Sequence, residues 1–207
     1  MTINFRINSC LCFLVFFLAN NSFCQPWNLV KEKDGIKLYT RIEANNTLKS
    51  FKGEVVLHAP IDKICSRLGN ADNNDWWDKE ISNVKLLGYE SNKYIQYYLV
   101  YNMPWPLTNR DLVADIRMSL DTLSGTRTYT AGPLKNVVPE NPDLVRINKY
   151  YQKWTVQPLG KGNIHMILEG FIDPGGNVPA WFYNLVVADT PYRAIHSLRE
   201  KVLSDKP

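Results

Sequence analysis

Along residues 112–120 the chain alternates without interruption. Leu112, Ala114, Ile116, Met118 and Leu120 fall on one parity, and Asp115, Arg117 and Ser119 on the other. Successive side chains of a strand point to opposite faces, so this pattern predicts a strand with one buried face. Residues 36–42, 48–57, 84–89, 94–103, 126–131, 144–156 and 163–172 also read as strands. The pieces between them are turn-rich: Glu43-Ala44-Asn45-Asn46-Thr47, Glu90-Ser91-Asn92, Ser124-Gly125 and Gly160-Lys161-Gly162. Residues 132–143 hold three prolines and read as a loop.

The period changes in three places. Ile61, Ile64, Cys65 and Leu68 make a helical stripe, opened by Pro60. A second short helix is expected over residues 72–80, around Trp76-Trp77. Near the C-terminus Trp181, Leu185, Ala188, Tyr192, Ile195, Leu198 and Val202 are spaced by three or four. That spacing predicts one amphipathic helix of about 25 residues, ~37 Å long. Asn177 is the expected N-cap, Pro179 lies in the first turn, and Pro191 is expected to kink the helix. The order of elements implies an α+β fold, with a curved antiparallel sheet around a long C-terminal helix.

The first 24 residues read as a cleaved leader. Arg6 supplies a positive start, and residues 9–19 form an uncharged, mostly apolar run too short to span a bilayer. Ser22 and Cys24 place small residues at −3 and −1, so cleavage is expected before Gln25. Residues 25–207 then form one domain with a real core, exported to the periplasm or secreted. Charge adds little. The whole chain carries 24 Lys+Arg against 20 Asp+Glu, and removing Arg6 takes the net charge from +4 to about +3. That scattered surplus points away from nucleic acid. Cys10, Cys12 and Cys24 leave with the leader, so Cys65 is expected as a free, buried thiol.

The enzyme readings find little to rest on. His58, His165 and His196 have no His or Cys at metal spacing, and no phosphate loop, nucleophile elbow or dinucleotide fingerprint occurs. His165 and Glu169 would share a strand face as an acid–base pair, although pairing across strands explains them as well. No cofactor is implied.

Two proline-bracketed turns carry the strongest signal. Pro104-Trp105-Pro106-Leu107-Thr108-Asn109-Arg110-Asp111 joins two strands, and Asp173-Pro174-Gly175-Gly176-Asn177-Val178-Pro179-Ala180-Trp181 leads into the last helix. The pair resembles the signature turns of START domains, the steroidogenic acute regulatory protein-related lipid transfer family. The resemblance covers the chain from about Trp27 to Val202. It implies a helix-grip START fold, a pocket for a lipid or other apolar small molecule, and a C-terminal helix acting as a lid. It further implies transient membrane contact and a monomer, and it puts Trp105 near the cavity mouth.

Period-two logic selects the cavity wall. Leu112, Ala114, Ile116 and Met118 are expected inward, opposite Ile95, Tyr97, Leu99 and Tyr101. On residues 144–156 both parities are open. The set Arg146, Asn148, Tyr150, Gln152 and Trp154 is taken as inward because it mixes apolar and polar groups, as ligand pockets do. The wording around residues 101–113 most resembles the phosphatidylcholine-transfer members of the family, yet their headgroup residues carry over poorly. Asp78 matches an acidic ligand contact and Tyr150 one of three choline-caging aromatics. Asn74 replaces the basic residue, and Leu99 and Leu112 replace the other two aromatics. Tyr97 and Ile116 stand where sterol-binding members carry an acid–arginine pair. The ligand class stays open. The rival readings are a helix-grip superfamily enzyme, a cyclase or hydrolase acting on an apolar substrate, and an interaction module whose pocket its own side chains fill.

Overall fold

A computed structural model describes residues 25–44 and 46–204. The leader expected over residues 1–24 and its cleavage point lie outside the described residues. Ten strands form one sheet: β1 Asn28–Lys33, β2 Ile36–Ile42, β3 Lys49–His58, β4 Ile81–Glu90, β5 Tyr94–Tyr101, β6 Arg110–Leu120, β7 Arg127–Pro133, β8 Val145–Arg146, β9 Lys149–Gly160 and β10 Asn163–Asp173. The order across the sheet is β1-β2-β3-β10-β9-β7-β6-β5-β4. Every neighbouring pair on that path is antiparallel, while the short β8 runs parallel to the start of β6. Three helices complete the fold: α1 Ile61–Gly69, α2 Ala180–Val186 and α3 Asp189–Ser204.

Alternation decides the inner face. Phe51, Val55 and Leu57 of β3, Ile164, Met166 and Leu168 of β10, and Trp154 and Val156 of β9 are buried together with Ile195, Leu198 and Val202 of α3. At Gly53 the helix sits directly on the sheet: a Cβ there would stand 2.8 Å from both Ile195 Cδ1 and Pro191 Cβ. Gly53→Val is therefore expected to push α3 off the sheet, destabilising by about 1–3 kcal/mol. Thermal unfolding reads this as a drop of ~2–4 °C per kcal/mol. An unchanged midpoint would mean that α3 has slack against β3.

Five expectations are corrected. The C-terminal segment is two helices, broken at residues 187–188. Pro191 does not kink a continuous helix but lies in the first turn of α3, where a missing N–H is tolerated. In a continuous helix its ring would collide with the carbonyl of Val187, four residues earlier, and the break falls there. Pro179, not Asn177, occupies the N-cap position of α2, with no side-chain cap. Residues 72–80 form turns rather than a helix, held by hydrogen bonds such as Trp77 N to Asn74 O at 3.1 Å. The segment 144–156 is not one strand: β8 pairs with β6, the chain breaks, and β9 pairs with β7 and β10. Strand β1 was not expected, because all six of its residues are exposed and no buried alternation marks it.

Both sheet edges are irregular. On β1 the register slips between Leu29 and Lys31. On β4 it slips twice, between Ser82 and Lys85 and between Leu86 and Gly88, and Asn83 has a φ of 49°.

Candidate ligand cavity

A cavity of about 90 Å³ opens between the sheet, α1 and the 70–80 loop. Its sheet wall comes from Ile95 and Tyr97 of β5, Ile116 of β6, Tyr129 and Ala131 of β7, and Gln152 and Trp154 of β9. Pairing across the sheet aligns them, with Ile95 opposite Ile116, Ile116 opposite Ala131, and Ala131 opposite Gln152. Trp76 and Trp77 enter from the loop, and Arg67, Leu68, Asn70 and Asn73 complete the lining.

Aromatic rings occupy most of this space. Trp76 meets Trp154 edge-on at 5.8 Å between centroids, and Trp77 meets Tyr97 edge-on at 5.1 Å. Such contacts contribute about 0.5–1.5 kcal/mol each beyond burial. Tyr97 donates to Ala71 O at 2.7 Å and Trp76 Nε1 donates to Arg67 O at 3.2 Å, so both rings are fixed by their polar ends as well. Burial pushes the Tyr97 hydroxyl up to about 12 and raises Tyr129 and Tyr150 too. The cavity therefore presents neutral phenols at any ordinary pH.

Of the expected site residues, the structure brings Tyr97, Ile116 and Trp154 to this cavity. Leu99 and Ala114 are buried further along the same wall, where Leu99 faces a half-buried Leu112. Tyr150 is buried as well and donates to Gly132 O at 2.8 Å. Asp78 lies outside the cavity lining: Tyr101 donates to it at 3.2 Å and Arg193 of α3 at 3.1 Å. Trp105 stands 93% exposed, preceding a cis bond to Pro106. Arg146 is not inward. It forks onto Asp111, with Nε to Oδ1 and Nη2 to Oδ2 both at 2.8 Å. Parity does not carry from β9 to Arg146 because the chain changes partner strand between them. His165 and Glu169 do not act on each other: His165 lies 3.6 Å from Glu54, and Glu169 pairs with Lys153 at 3.3 Å.

Sequence reasoning missed Arg67, Leu68, Asn70, Asn73, Trp76, Trp77, Tyr129 and Ala131 as lining residues. The Trp76-Trp77 doublet was the available signal, since a helix of two turns had no reason to hold two adjacent indoles.

The two proline-bracketed turns meet. Arg110 is 2% exposed and donates to Thr108 O, to Pro174 O at 3.2 Å and to Gly175 O at 3.3 Å. Gly175 and Gly176 have φ of 63° and 61°, which glycine adopts freely. Their turn exposes the carbonyls that Arg110 needs, while burial lowers the Arg110 pKa from its ordinary value. The Trp105 loop and the entry to α2 are thus neighbours. Outward from this junction α2 shows Trp181 at 67% exposure and Leu185 at 71%, with Phe182 and Val186 beside them. Its opposite face buries Tyr183 and the following Val187, and Asn184 bonds Lys49 N and Thr47 O.

Helix α3 is anchored on both flanks. Tyr192 donates to Asp34 at 2.6 Å and Arg199 to Asp34 O at 2.7 Å, on the β1–β2 turn. On the other flank Ser197 donates to Trp76 O at 2.5 Å and Lys201 to Asp75 at 2.9 Å.

Comparison with known proteins agrees with this architecture. An uncharacterized protein of Pseudomonas aeruginosa is 29% identical over 187 residues, 89% of this chain and 91% of its own length. The phosphatidylcholine transfer protein of Rattus norvegicus is 26% identical over 163 residues, 76% of this chain and 75% of its own. The crystal structure of a STAR-related lipid transfer protein from Xanthomonas axonopodis superimposes with a TM-score of 0.78 at 28% identity, covering 86% of this chain and 99% of that one. A START domain family model matches residues 14–200. With that match, the sheet gripping α3 and the joined proline turns, the chain belongs to the START domain family.

Proposed function

We propose that the protein binds a lipid in the cavity on the inner face of the sheet and carries it between membranes, without covalent chemistry. The observation that carries this reading is the wall itself: apolar and aromatic side chains of four strands converge on one space. The relatives named for lipid transfer support it. Outside the cytoplasm, with the chain starting at Gln25, is where the leader sends it.

The cavity is small in this conformation. About 90 Å³ is well below the ~300–1,000 Å³ of ligand pockets. Loading needs Trp76 and Trp77 to withdraw with their loop. The lid is α2 rather than the whole C-terminal segment: its hinge is the break at residues 187–188, and α3 keeps its anchors on Asp34 while its bonds to Asp75 and Trp76 release with the loop. The uncharged faces of α2 and the Trp105 loop are the membrane contact.

The same small volume favours a second reading, an interaction module whose core is filled by Trp76, Trp77 and Trp154. Native mass spectrometry of the exported protein, followed by lipid extraction, separates the two. The expected result is a polypeptide mass starting at Gln25, with a non-covalent adduct that extracts into organic solvent. A bare mass that takes up no lipid from mixed phospholipid vesicles overturns lipid binding and leaves the self-filled module.

A further inference from the structure

Most polar groups around the cavity are already engaged. Arg67 donates to Asp75 at 2.7 Å, Asn73 to Ser66 O at 2.9 Å and Tyr129 to Cys65 O at 3.4 Å. Two side chains of the sheet wall differ. Gln152 and Trp154, two apart on β9 and on one face, line the cavity with no hydrogen-bond partner among the described residues. Neither is sealed: the only enclosed, unpartnered side-chain polar atom among the described residues is the Tyr183 hydroxyl. Trp154 is only 7% exposed and lines the cavity, and its N–H is not among the enclosed atoms.

An amide and an indole N–H left unmatched on an apolar wall are destabilising unless something bonds them. We infer that Gln152 and Trp154 form the polar recognition point of the cavity, for a neutral lipid whose polar group is a hydroxyl or a carbonyl oxygen. This rests on the lipid-binding reading above and narrows it. Gln152 offers two donors and one acceptor, and the indole one donor. A hydroxyl oxygen accepts from Trp154 and donates to the Gln152 carbonyl; a carbonyl oxygen accepts from both N–H groups. A carboxylate or phosphate fits poorly, because the sheet wall carries no charge and Arg67 in the lining is held by Asp75. An ionised group buried there lacks a counter-charge.

The test uses four probes with one chain length: n-hexadecane, 1-hexadecanol, ethyl palmitate and palmitate at pH 8. Binding to the purified protein is followed by tryptophan fluorescence. The alcohol or the ester is expected to bind about tenfold more tightly than the alkane, and palmitate more weakly than the better of the two. The preferred probe identifies the oxygen. Gln152→Leu and the near-isosteric Gln152→Met are expected to cut the preference to what the Trp154 N–H alone supplies, while the alkane binds at least as tightly to the more apolar wall; circular dichroism checks that both fold. Equal affinity for alkane and oxygenated probes overturns the inference alone. So does a preference left undiminished by both substitutions, or palmitate as the tightest ligand. If none of the four binds the unsubstituted protein, lipid binding itself fails and the inference falls with it.

Discussion

Arg146→Met is expected to destabilise the fold by about 3–5 kcal/mol, measured by urea unfolding. Asp111 has a side chain only 1% exposed, and Arg146 covers it at 9%. The two-pronged contact is the strong form of a charge pair, and Asp111 lifts the Arg146 pKa above its ordinary value. Arg146 also donates to Val138 O at 3.1 Å and Pro139 O at 3.0 Å, fixing the proline-rich loop over the outer face of β6. Methionine fills much of the same volume but leaves the Asp111 carboxylate buried without its counter-charge, with the Tyr98 hydroxyl as a neutral neighbour. The Asp111→Leu/Arg146→Met pair, which removes both charges, is expected to regain most of the loss. Arg146→Lys falls between, because an ammonium cannot fork. A loss below about 1 kcal/mol in the single variant, the range of a surface pair, would show that water reaches Asp111.

Trp181→Ser together with Leu185→Ser is expected to reduce binding to phosphatidylcholine vesicles by about 100-fold or more. Moving one large apolar side chain out of water contributes roughly 1.5–3 kcal/mol, and two such losses multiply. The outward face of α2 is exposed among the described residues, and indoles favour the membrane–water boundary. Neither α2 nor residues 103–108 contain a charged residue. Binding is therefore expected to change little between low and high salt, unlike a polybasic contact. The fold should tolerate the double substitution, because Tyr183 and Val187 provide the buried contacts of that segment. Leu123→Ser, at a 98% exposed site in the β6–β7 turn, serves as the control and is expected to leave vesicle binding unchanged. Vesicle binding that survives the α2 substitutions would move the membrane contact to another surface.

Most of the sheet was legible because one-sided burial writes a period of two. Strands β2, β3, β5, β6 and β10 begin and end within about two residues of the alternating runs. Where burial is absent the signal disappears, as in β1. Where two effects overlap it misleads. The stripe from Trp181 to Val202 runs across a break, and its first members misled: Trp181 and Leu185 face outward, while Tyr183 and Val187 are the buried positions of that stretch. The cavity was only partly legible. Parity named Tyr97, Ile116 and Trp154, which line the cavity, but a strand of 8–12 residues is longer than the cavity it borders. Its closing side belongs to the 70–80 loop, whose position depends on contacts with α3 more than a hundred residues away, such as Ser197 on Trp76. No local pattern encodes that distance.

The slipped registers of β1 and β4 bear on how the protein behaves at high concentration. An open sheet ends in two rows of free backbone donors and acceptors, a template for another copy to extend. Both rims here also show apolar side chains, Leu29 and Val30 on one and Leu86, Leu87 and Tyr89 on the other. A straight rim of that composition would invite fibre growth. The bulges twist each rim and interrupt the spacing of its N–H and C=O groups every few residues, so a second molecule laid alongside cannot keep its bonds in step.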